Sequence, residues 1–219
     1  MLHYLENLFH ALDFGSLGDA VARLAAVLLC LTVHETCHGL AAYGLGDPTA
    51  KSRNRLSLNP LRHIDWFGLL MMFAVGFGWA RPVPVDPRYF KNPKRGMALT
   101  ALAGPASNFL LAALAIGISK AVYLYGYYHP ALDAVFIFCL YTLAPLSVGL
   151  GLFNLLPIPP LDGAKVLGAL LPDEAYFRVM RYERYGMLVL VLLSFTGVGG
   201  SLINRGIMAV YGGLFNLFY

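Results

Sequence analysis

A long apolar segment near the start of the chain, residues 20–45, constrains the fold more than any other feature of the sequence. A helix of this length is about 39 Å long, which exceeds the roughly 30 Å hydrocarbon core of a bilayer. Inside lipid the backbone must satisfy its own hydrogen bonds, so such a segment is restricted to a helix. Hydrophobic residues make up 58% of the chain and charged residues only 13%. The sequence therefore predicts an all-α membrane protein that crosses the bilayer several times.

Two later apolar runs, 96–124 and 132–156, are long enough for a second and a third crossing. We expect them to cross the bilayer together with the first run, and a further run predicts an additional crossing at 187–203. Residues 1–19 have apolar side chains at helical spacing and lack the basic start and cleavage site of a signal peptide, so they predict an interfacial helix. The whole chain, 1–219, is expected to form a single integral-membrane domain.

Basic residues are concentrated in two loops on either side of a shorter apolar segment at 66–80. They are Lys51, Arg53, Arg55 and Arg62 before it, and Arg81, Arg88, Lys91, Lys94 and Arg95 after it. Loops rich in Lys and Arg stay on the cytoplasmic side, so the segment between them must return to the side it left. We predict a re-entrant, β-hairpin-like segment whose edge could pair with an extended substrate. The net charge of +4 is then a topology signal, and no nucleic-acid partner is expected.

Within the first apolar segment, His34, Glu35 and His38 form a His-Glu-x-x-His pattern. Residues four apart lie on one face of a helix, so His34 and His38 can offer two imidazole nitrogens to one zinc ion. Glu35 lies beside the metal and can act as a general base toward water. Two polar residues can share this spacing by chance, but ionisable groups inside a membrane are costly and are usually functional. The pattern therefore predicts a catalytic Zn²⁺ site.

A catalytic zinc usually takes three protein ligands and keeps one position for water. Few acidic residues lie near the predicted crossings, and Asp162 follows the helix-breaking sequence Pro-Ile-Pro-Pro at 157–160. Asp162 is therefore the candidate for the third ligand. An Asp-Gly pair is also typical of a plain turn, so both interpretations of Asp162 stay open on the residues alone. The rise of the predicted helices places His38, Asn108 and Asp162 at one depth near the cytoplasmic side.

Four motifs in order carry a family resemblance over about residues 20–170. They are His-Glu-Thr-Cys-His-Gly at 34–39, Asn-Pro-Leu-Arg-His-Ile-Asp at 59–65, Gly-Pro-Ala-Ser-Asn at 104–108 and Asn-Leu-Leu-Pro-Ile-Pro-Pro-Leu-Asp-Gly at 154–163. Together they resemble the site-2 protease family of intramembrane zinc metalloproteases, in its short prokaryotic branch without PDZ or CBS domains. The resemblance implies that the crossings at 20–45, 96–124 and 132–156 form a three-helix catalytic core. One departure is Trp66, which stands where relatives often have proline.

The resemblance implies that His34, His38 and Asp162 bind one zinc ion and that Glu35 is the general base. It also implies that Asn154 and Asn108 hold substrate or stabilise the oxyanion. For each asparagine the alternative is an interhelical hydrogen bond, a common use of Asn in membranes. We assign His63 and Asp65 a structural role, because the metal already has its ligands.

The activity implied is hydrolysis of a peptide bond within or near the transmembrane segment of a single-span membrane protein. The enzyme would lie in the cytoplasmic membrane with its active site toward the cytoplasm. A metal-binding transporter or zinc-responsive regulator is the alternative, and it would use Glu35 as a ligand or gate. The chain shows no duplicated half and no second charged cluster within the predicted crossings, which disfavours transport. An inactive scaffold is disfavoured because His34, Glu35, His38 and Asp162 are intact.

Overall fold

The computed structural model describes residues 17–75, 79–126, 129–181, 185–186, 190, 192 and 198–219. In chain order, the helices are α1 (Leu17–Gly44), α2 (Thr49–Ser52), α3 (Trp66–Val75), α4 (Pro93–Tyr125), α5 (Pro130–Ile137), α6 (Ala144–Asn154), α7 (Asp162–Gly168), α8 (Asp173–Arg181) and α9 (Val198–Phe218). Short 3-10 turns lie at Pro60–Arg62 and Pro87–Tyr89, and a π-helical turn at Phe138–Leu143 joins α5 to α6.

Three helices in the described part of the chain are long and apolar enough to cross a membrane. They are Gly18–Gly44 within α1, Pro93–Tyr125, and the continuous run Pro130–Asn154 formed by α5 and α6. The second begins with Pro93 at its first helical position, and the Asn92 side chain accepts a hydrogen bond from the Arg95 N–H. The prediction of an all-α bundle with a three-helix core is confirmed. Each helix lies within a few residues of its predicted bounds.

Small buried residues let the spanning helices approach closely. Ala26 and Cys30 of α1 meet Ala112, Ala115 and Ile116 of α4 in the main hydrophobic cluster. Association of helices in lipid depends on such close packing, because burial from water contributes little between them. Helix α9 packs against the same cluster through Ile207, Val210, Tyr211, Leu214 and Phe215.

The structure corrects the prediction of a β-hairpin at 66–80. Residues Trp66–Val75 form helix α3, and the Asp65 carboxylate caps it by accepting hydrogen bonds from the backbone of Phe67 and Gly68. A helix satisfies its own backbone, which an isolated hairpin in lipid cannot do. Trp66 occupies the first helical position, where proline is also tolerated.

The two ends of this segment nevertheless lie together, as a returning segment requires. An antiparallel bridge joins Ile64 to Ala80, and the Arg81 N–H donates to the His63 carbonyl over 2.9 Å. Beyond Ala80 the chain continues as a segment that we call the strap, residues 81–86. Its two prolines, Pro82 and Pro84, exclude it from a helix interior.

Three residues, His63, Arg55 and Asp47, hold the strap against the rest of the protein. Besides the bond to His63, the buried Arg55 side chain donates to the carbonyl of Arg81 at 2.6 Å and to that of Pro82 at 3.3 Å. At the other end, the Asp86 N–H donates to the Asp47 carboxylate over 2.7 Å. Asp47 itself follows α1, so the strap is fixed beside the end of the helix that carries His34 and His38.

Two predicted elements lie largely outside the described residues. Residues 1–16 of the predicted interfacial helix are not among them, and neither is most of the predicted crossing at 187–203. Residues 198–203 belong to α9, which continues to Phe218. Both predictions therefore stay predictions.

Candidate active site

The second half of α1 places His34 and His38 on the face that meets α4. Both side chains are buried. Gly104 of α4 lies directly opposite, and a Cβ atom at this position would be 2.4 Å from His38 Nε2 and 2.7 Å from His34 Cε1. Helix α4 can therefore come this close to both imidazoles only with glycine at position 104.

Asp162 completes a cluster of three side chains whose atoms lie close enough together to hold a metal ion. The chain leaves α6 after Asn154, turns through the prolines, and begins α7 at Asp162. Asp162 Oδ2 is 3.2 Å from His34 Nε2 and 3.1 Å from His38 Nε2, and the two Nε2 atoms are 2.9 Å apart. All three residues are buried. The structure thus brings together three side chains that are far apart in sequence.

The chemistry of these three atoms fits a zinc ion. His38 Nδ1 lies 2.7 Å from the Thr100 carbonyl, which can only accept, so Nδ1 carries the proton. A neutral His38 then presents a lone pair at Nε2, and a carboxylate oxygen presents another. The separations resemble the spacing of about 3.3 Å between ligand atoms around a tetrahedral zinc with bonds of about 2.0 Å. Such converging acceptors repel one another unless a cation or a proton lies between them.

The carboxyl of Asp162 is poised to be the anionic member of this set. Burial opposes its charge, but when the adjacent imidazoles of His34 and His38 carry a proton on Nε2, they donate to the carboxylate and hold the pKa of Asp162 below its ordinary value. A divalent cation between the same three atoms would take the place of that proton. Asp162 is therefore a carboxylate at neutral pH, the form that binds a divalent cation.

Glu35 is held by the strap. Its Oε2 atom accepts a hydrogen bond of 2.8 Å from the Val83 N–H. Pro82 and Pro84 flank Val83 and have no N–H, so Val83 is the one residue of 82–84 that can donate a backbone hydrogen bond. The three anchors of the strap therefore also determine where the Glu35 carboxylate lies.

Glu35 and the three-residue cluster line one cavity of about 280 Å³. The other residues that line it include Val83 and Val85 of the strap, Met97 and Thr100 of α4, Asn154, and Lys165. The cavity is therefore walled by α1, α4, the strap, the end of α6 and α7.

The two predicted asparagines occupy different positions. Asn154 is half-buried and lines the cavity, and its Nδ2 atom donates to the Leu150 carbonyl of its own helix over 3.0 Å. Asn108 is completely buried and lies behind His34, with its Nδ2 atom 3.0 Å from His34 Nδ1. Of the two, Asn154 alone lines the cavity.

His63 and Asp65 lie outside the cluster and make structural contacts. His63 Nε2 is 2.7 Å from the Ser57 carbonyl, and Asp65 caps α3. Their assignment to structural roles agrees with these contacts.

Sequence reasoning missed three contributors to the cavity: Val83, Thr100 and Lys165. Val83 and Thr100 act through main-chain groups, which leave no mark in the pattern of residue types. Lys165 could have been predicted from the sequence, because it follows Asp162 by three residues and so lies on the same face of a helix.

This fold and this site define a membrane-embedded zinc metallopeptidase, and comparison with known proteins gives the family. A sequence model described as "Peptidase family M50" matches residues 116–196. "Putative zinc metalloprotease YwhC" of Bacillus subtilis (strain 168) is 37% identical over 182 residues, which cover 81% of each chain. The chain belongs to peptidase family M50.

Two mycobacterial relatives agree with this assignment. "Putative zinc metalloprotease Rip2" of Mycolicibacterium smegmatis is 31% identical over 187 residues, covering 82% of this chain and 68% of the relative. The protein of the same name from Mycobacterium tuberculosis H37Rv is 31% identical over 182 residues, covering 80% and 67%. No solved structure matches the chain. The protein is thus a multi-pass zinc metalloprotease of the site-2 protease type, and Zn²⁺ is its cofactor.

Proposed function

We propose that this protein hydrolyses a peptide bond within or near the transmembrane segment of a single-span membrane protein, in regulated intramembrane proteolysis. The depth of the site is the observation that carries this proposal. His34 lies about 15 Å and His38 about 9 Å along the axis of α1 from its last residue, Gly44. Side chains at this position in a spanning helix can act on a peptide bond below the membrane surface.

His34, His38 and Asp162 are the proposed zinc ligands, and Glu35 is the proposed base. Zinc held by them would polarise the scissile carbonyl and lower the pKa of water. Glu35 accepts a proton from the attacking water and returns it to the leaving nitrogen. Because Glu35 Oε2 is engaged by the Val83 N–H, this proton transfer falls to Oε1.

An unwound substrate suits the proposed chemistry. A peptide bond inside a helix is hydrogen-bonded and shielded by its neighbours, so local unwinding must come before attack. A segment in extended form can lie beside the strap and pair with its backbone.

Asn154 is the proposed contact for the substrate backbone in this cavity. One N–H of its amide is used by the Leu150 carbonyl, which fixes the side chain and leaves the second N–H of Nδ2 to donate. A fixed donor near the reacting carbonyl stabilises negative charge that develops on the carbonyl oxygen.

We place the enzyme in the cytoplasmic membrane, with the site toward the cytoplasm. The segment from the end of α1 at Gly44 to the first turn of α4, which includes Lys94 and Arg95, carries nine of the 16 basic residues. Basic loops of this kind favour the cytoplasmic side. The proposed partners are the lipid bilayer and the single-span substrate.

The test uses purified protein in detergent with zinc and a panel of single-span membrane proteins. We compare the wild type with Glu35→Gln and measure both product and bound zinc. Loss of the base should lower the cleavage rate at least about 100-fold while zinc stays bound. Cleavage at the wild-type rate by Glu35→Gln would contradict the role of Glu35. Zinc flux into liposomes without cleavage of any substrate would instead favour the transporter.

A further inference from the structure

The amide of Asn108 is buried against the proposed zinc ligand His34. Its Nδ2 atom lies 3.0 Å from His34 Nδ1, and its side chain has no exposed surface. Its Oδ1 atom has no hydrogen-bond partner among the described residues, although it is fully buried. A buried amide oxygen without a hydrogen-bond partner costs folding free energy, so the orientation of this amide needs an explanation.

His38 has the hydrogen bonding that a zinc-binding histidine requires. Its Nε2 atom points at the cluster, and its Nδ1–H donates to the Thr100 carbonyl. His34 also points Nε2 at the cluster, so its Nδ1 must carry the proton and needs an acceptor. The amide nitrogen of Asn108 cannot accept. A rotation of the amide by 180° exchanges its two ends and brings Oδ1 to His34 Nδ1.

We propose that Asn108 is a positioning residue whose Oδ1 atom accepts the Nδ1–H hydrogen bond of His34. This bond holds His34 in the tautomer and the orientation that present Nε2 to zinc. The inference rests on the proposed role of His34 as a ligand. Asn108 itself lies behind His34 and meets neither the substrate nor the metal.

The main chain of Asn108 makes a separate contact with α6. The Ser147 hydroxyl of α6 donates to the Asn108 carbonyl over 2.7 Å, and Ser147 is completely buried. This bond ends on the backbone of α4 and does not involve the side-chain amide that meets His34. Ser147 therefore gives a matched control, because its loss weakens the link between α6 and α4 without removing the bond to His34.

The experiment measures zinc affinity by competition with a chromophoric chelator, using apo-protein purified in detergent. Asn108→Leu should weaken zinc binding about 10- to 100-fold, the usual effect of losing such a partner. Asn108→Asp should stay within about threefold of the wild type, because a carboxylate oxygen also accepts. Ser147→Ala should keep the wild-type affinity. The visible spectrum of bound Co²⁺ should change for Asn108→Leu and stay unchanged for Ser147→Ala.

Several results would overturn the proposal. Wild-type zinc affinity in both Asn108→Leu and Asn108→Ala would leave Asn108 as a link between helices only. Equal losses in Asn108→Leu and Asn108→Asp would exclude the acceptor role. His34→Ala separates this inference from the proposed function. If that variant binds zinc as the wild type does, the ligand set itself is wrong. If it loses zinc while Asn108→Leu does not, the positioning role alone is wrong.

Discussion

Two glycines determine the shape of this site as much as the three proposed zinc ligands do. Gly104 lies where α4 passes the two imidazoles, and Gly163 follows Asp162 where α7 begins. A Cβ atom on Gly163 would be 2.1 Å from the Leu155 carbonyl oxygen. Because the obstructing atoms are backbone groups at Gly163 and the imidazoles of two proposed zinc ligands at Gly104, neither position can accommodate a methyl group by moving a flexible neighbour.

A methyl group at Gly104 should therefore disturb zinc binding. We expect Gly104→Ala to lower zinc affinity at least about 10-fold, because the new Cβ displaces His38 and His34 from their positions. Gly213→Ala is the control, because nothing lies within 4 Å of a Cβ atom there. It should leave zinc affinity unchanged and stabilise α9 by up to about 1 kcal/mol. Zinc competition and thermal unfolding measure both effects, and equal zinc affinity in the two variants would contradict this account.

Among the structural elements, the strap connects the region between α1 and α3 to the proposed base, Glu35. Asp47, Arg55 and His63 all lie between α1 and α3, and each binds a main-chain group of the strap. Between these anchors, Val83 donates to Glu35. The orientation of the proposed base is therefore set by an irregular segment rather than by α1 alone.

Loosening the strap should slow cleavage without removing zinc. Arg55→Met keeps the bulk of the side chain but loses its bonds to the Arg81 and Pro82 carbonyls, each of which contributes about 1.5–3 kcal/mol when a charged group donates. We expect kcat to fall about 10-fold, because Val83 no longer holds Glu35 in place. The exposed neighbour Arg53 provides the control, and Arg53→Met should keep the wild-type kcat. Steady-state kinetics with zinc content test this, and the same kcat in both variants would refute it.

At the level of the whole molecule, the proposed zinc site joins parts of the chain that are far apart. His34 and His38 belong to α1 and Asp162 to α7, while α4 supplies the Thr100 carbonyl that orients His38. A ligand that binds only the folded state stabilises that state. Zinc should therefore hold the bundle together as well as supply the chemistry.

Removal of zinc should accordingly destabilise the protein. With free zinc at 1,000 times its Kd, binding contributes about 4 kcal/mol to the free energy of unfolding, and a strong chelator should remove this contribution. Asp162→Asn should show little response to zinc. Asp173→Asn should respond like the wild type, because Asp173 is exposed and pairs with Lys94. Thermal unfolding in detergent measures these shifts. A wild-type melting temperature that does not change with chelator would argue against a zinc ion held by all three residues.

Features that depend on neighbouring residues could be predicted from the sequence, and contacts between distant residues could not. Helix α1 and its two histidines were predictable because apolar length and the spacing of four residues are local properties. The prediction of a β-hairpin at 66–80 was wrong because Asp65 caps a helix that begins at Trp66, and this helix satisfies its own backbone hydrogen bonds. Asp162 stayed ambiguous until the resemblance to a family, since an Asp-Gly turn has the same sequence.

By itself, the sequence determined the membrane class, the three core helices and the two histidines with their glutamate. Tertiary structure alone decided that Asp162 reaches both histidines, that Val83 engages Glu35, and that Asn108 lies behind His34. The physical reason is that local periodicity depends on neighbouring residues. These contacts, in contrast, join atoms of distant residues and exist only once α1, α4 and α7 have packed together.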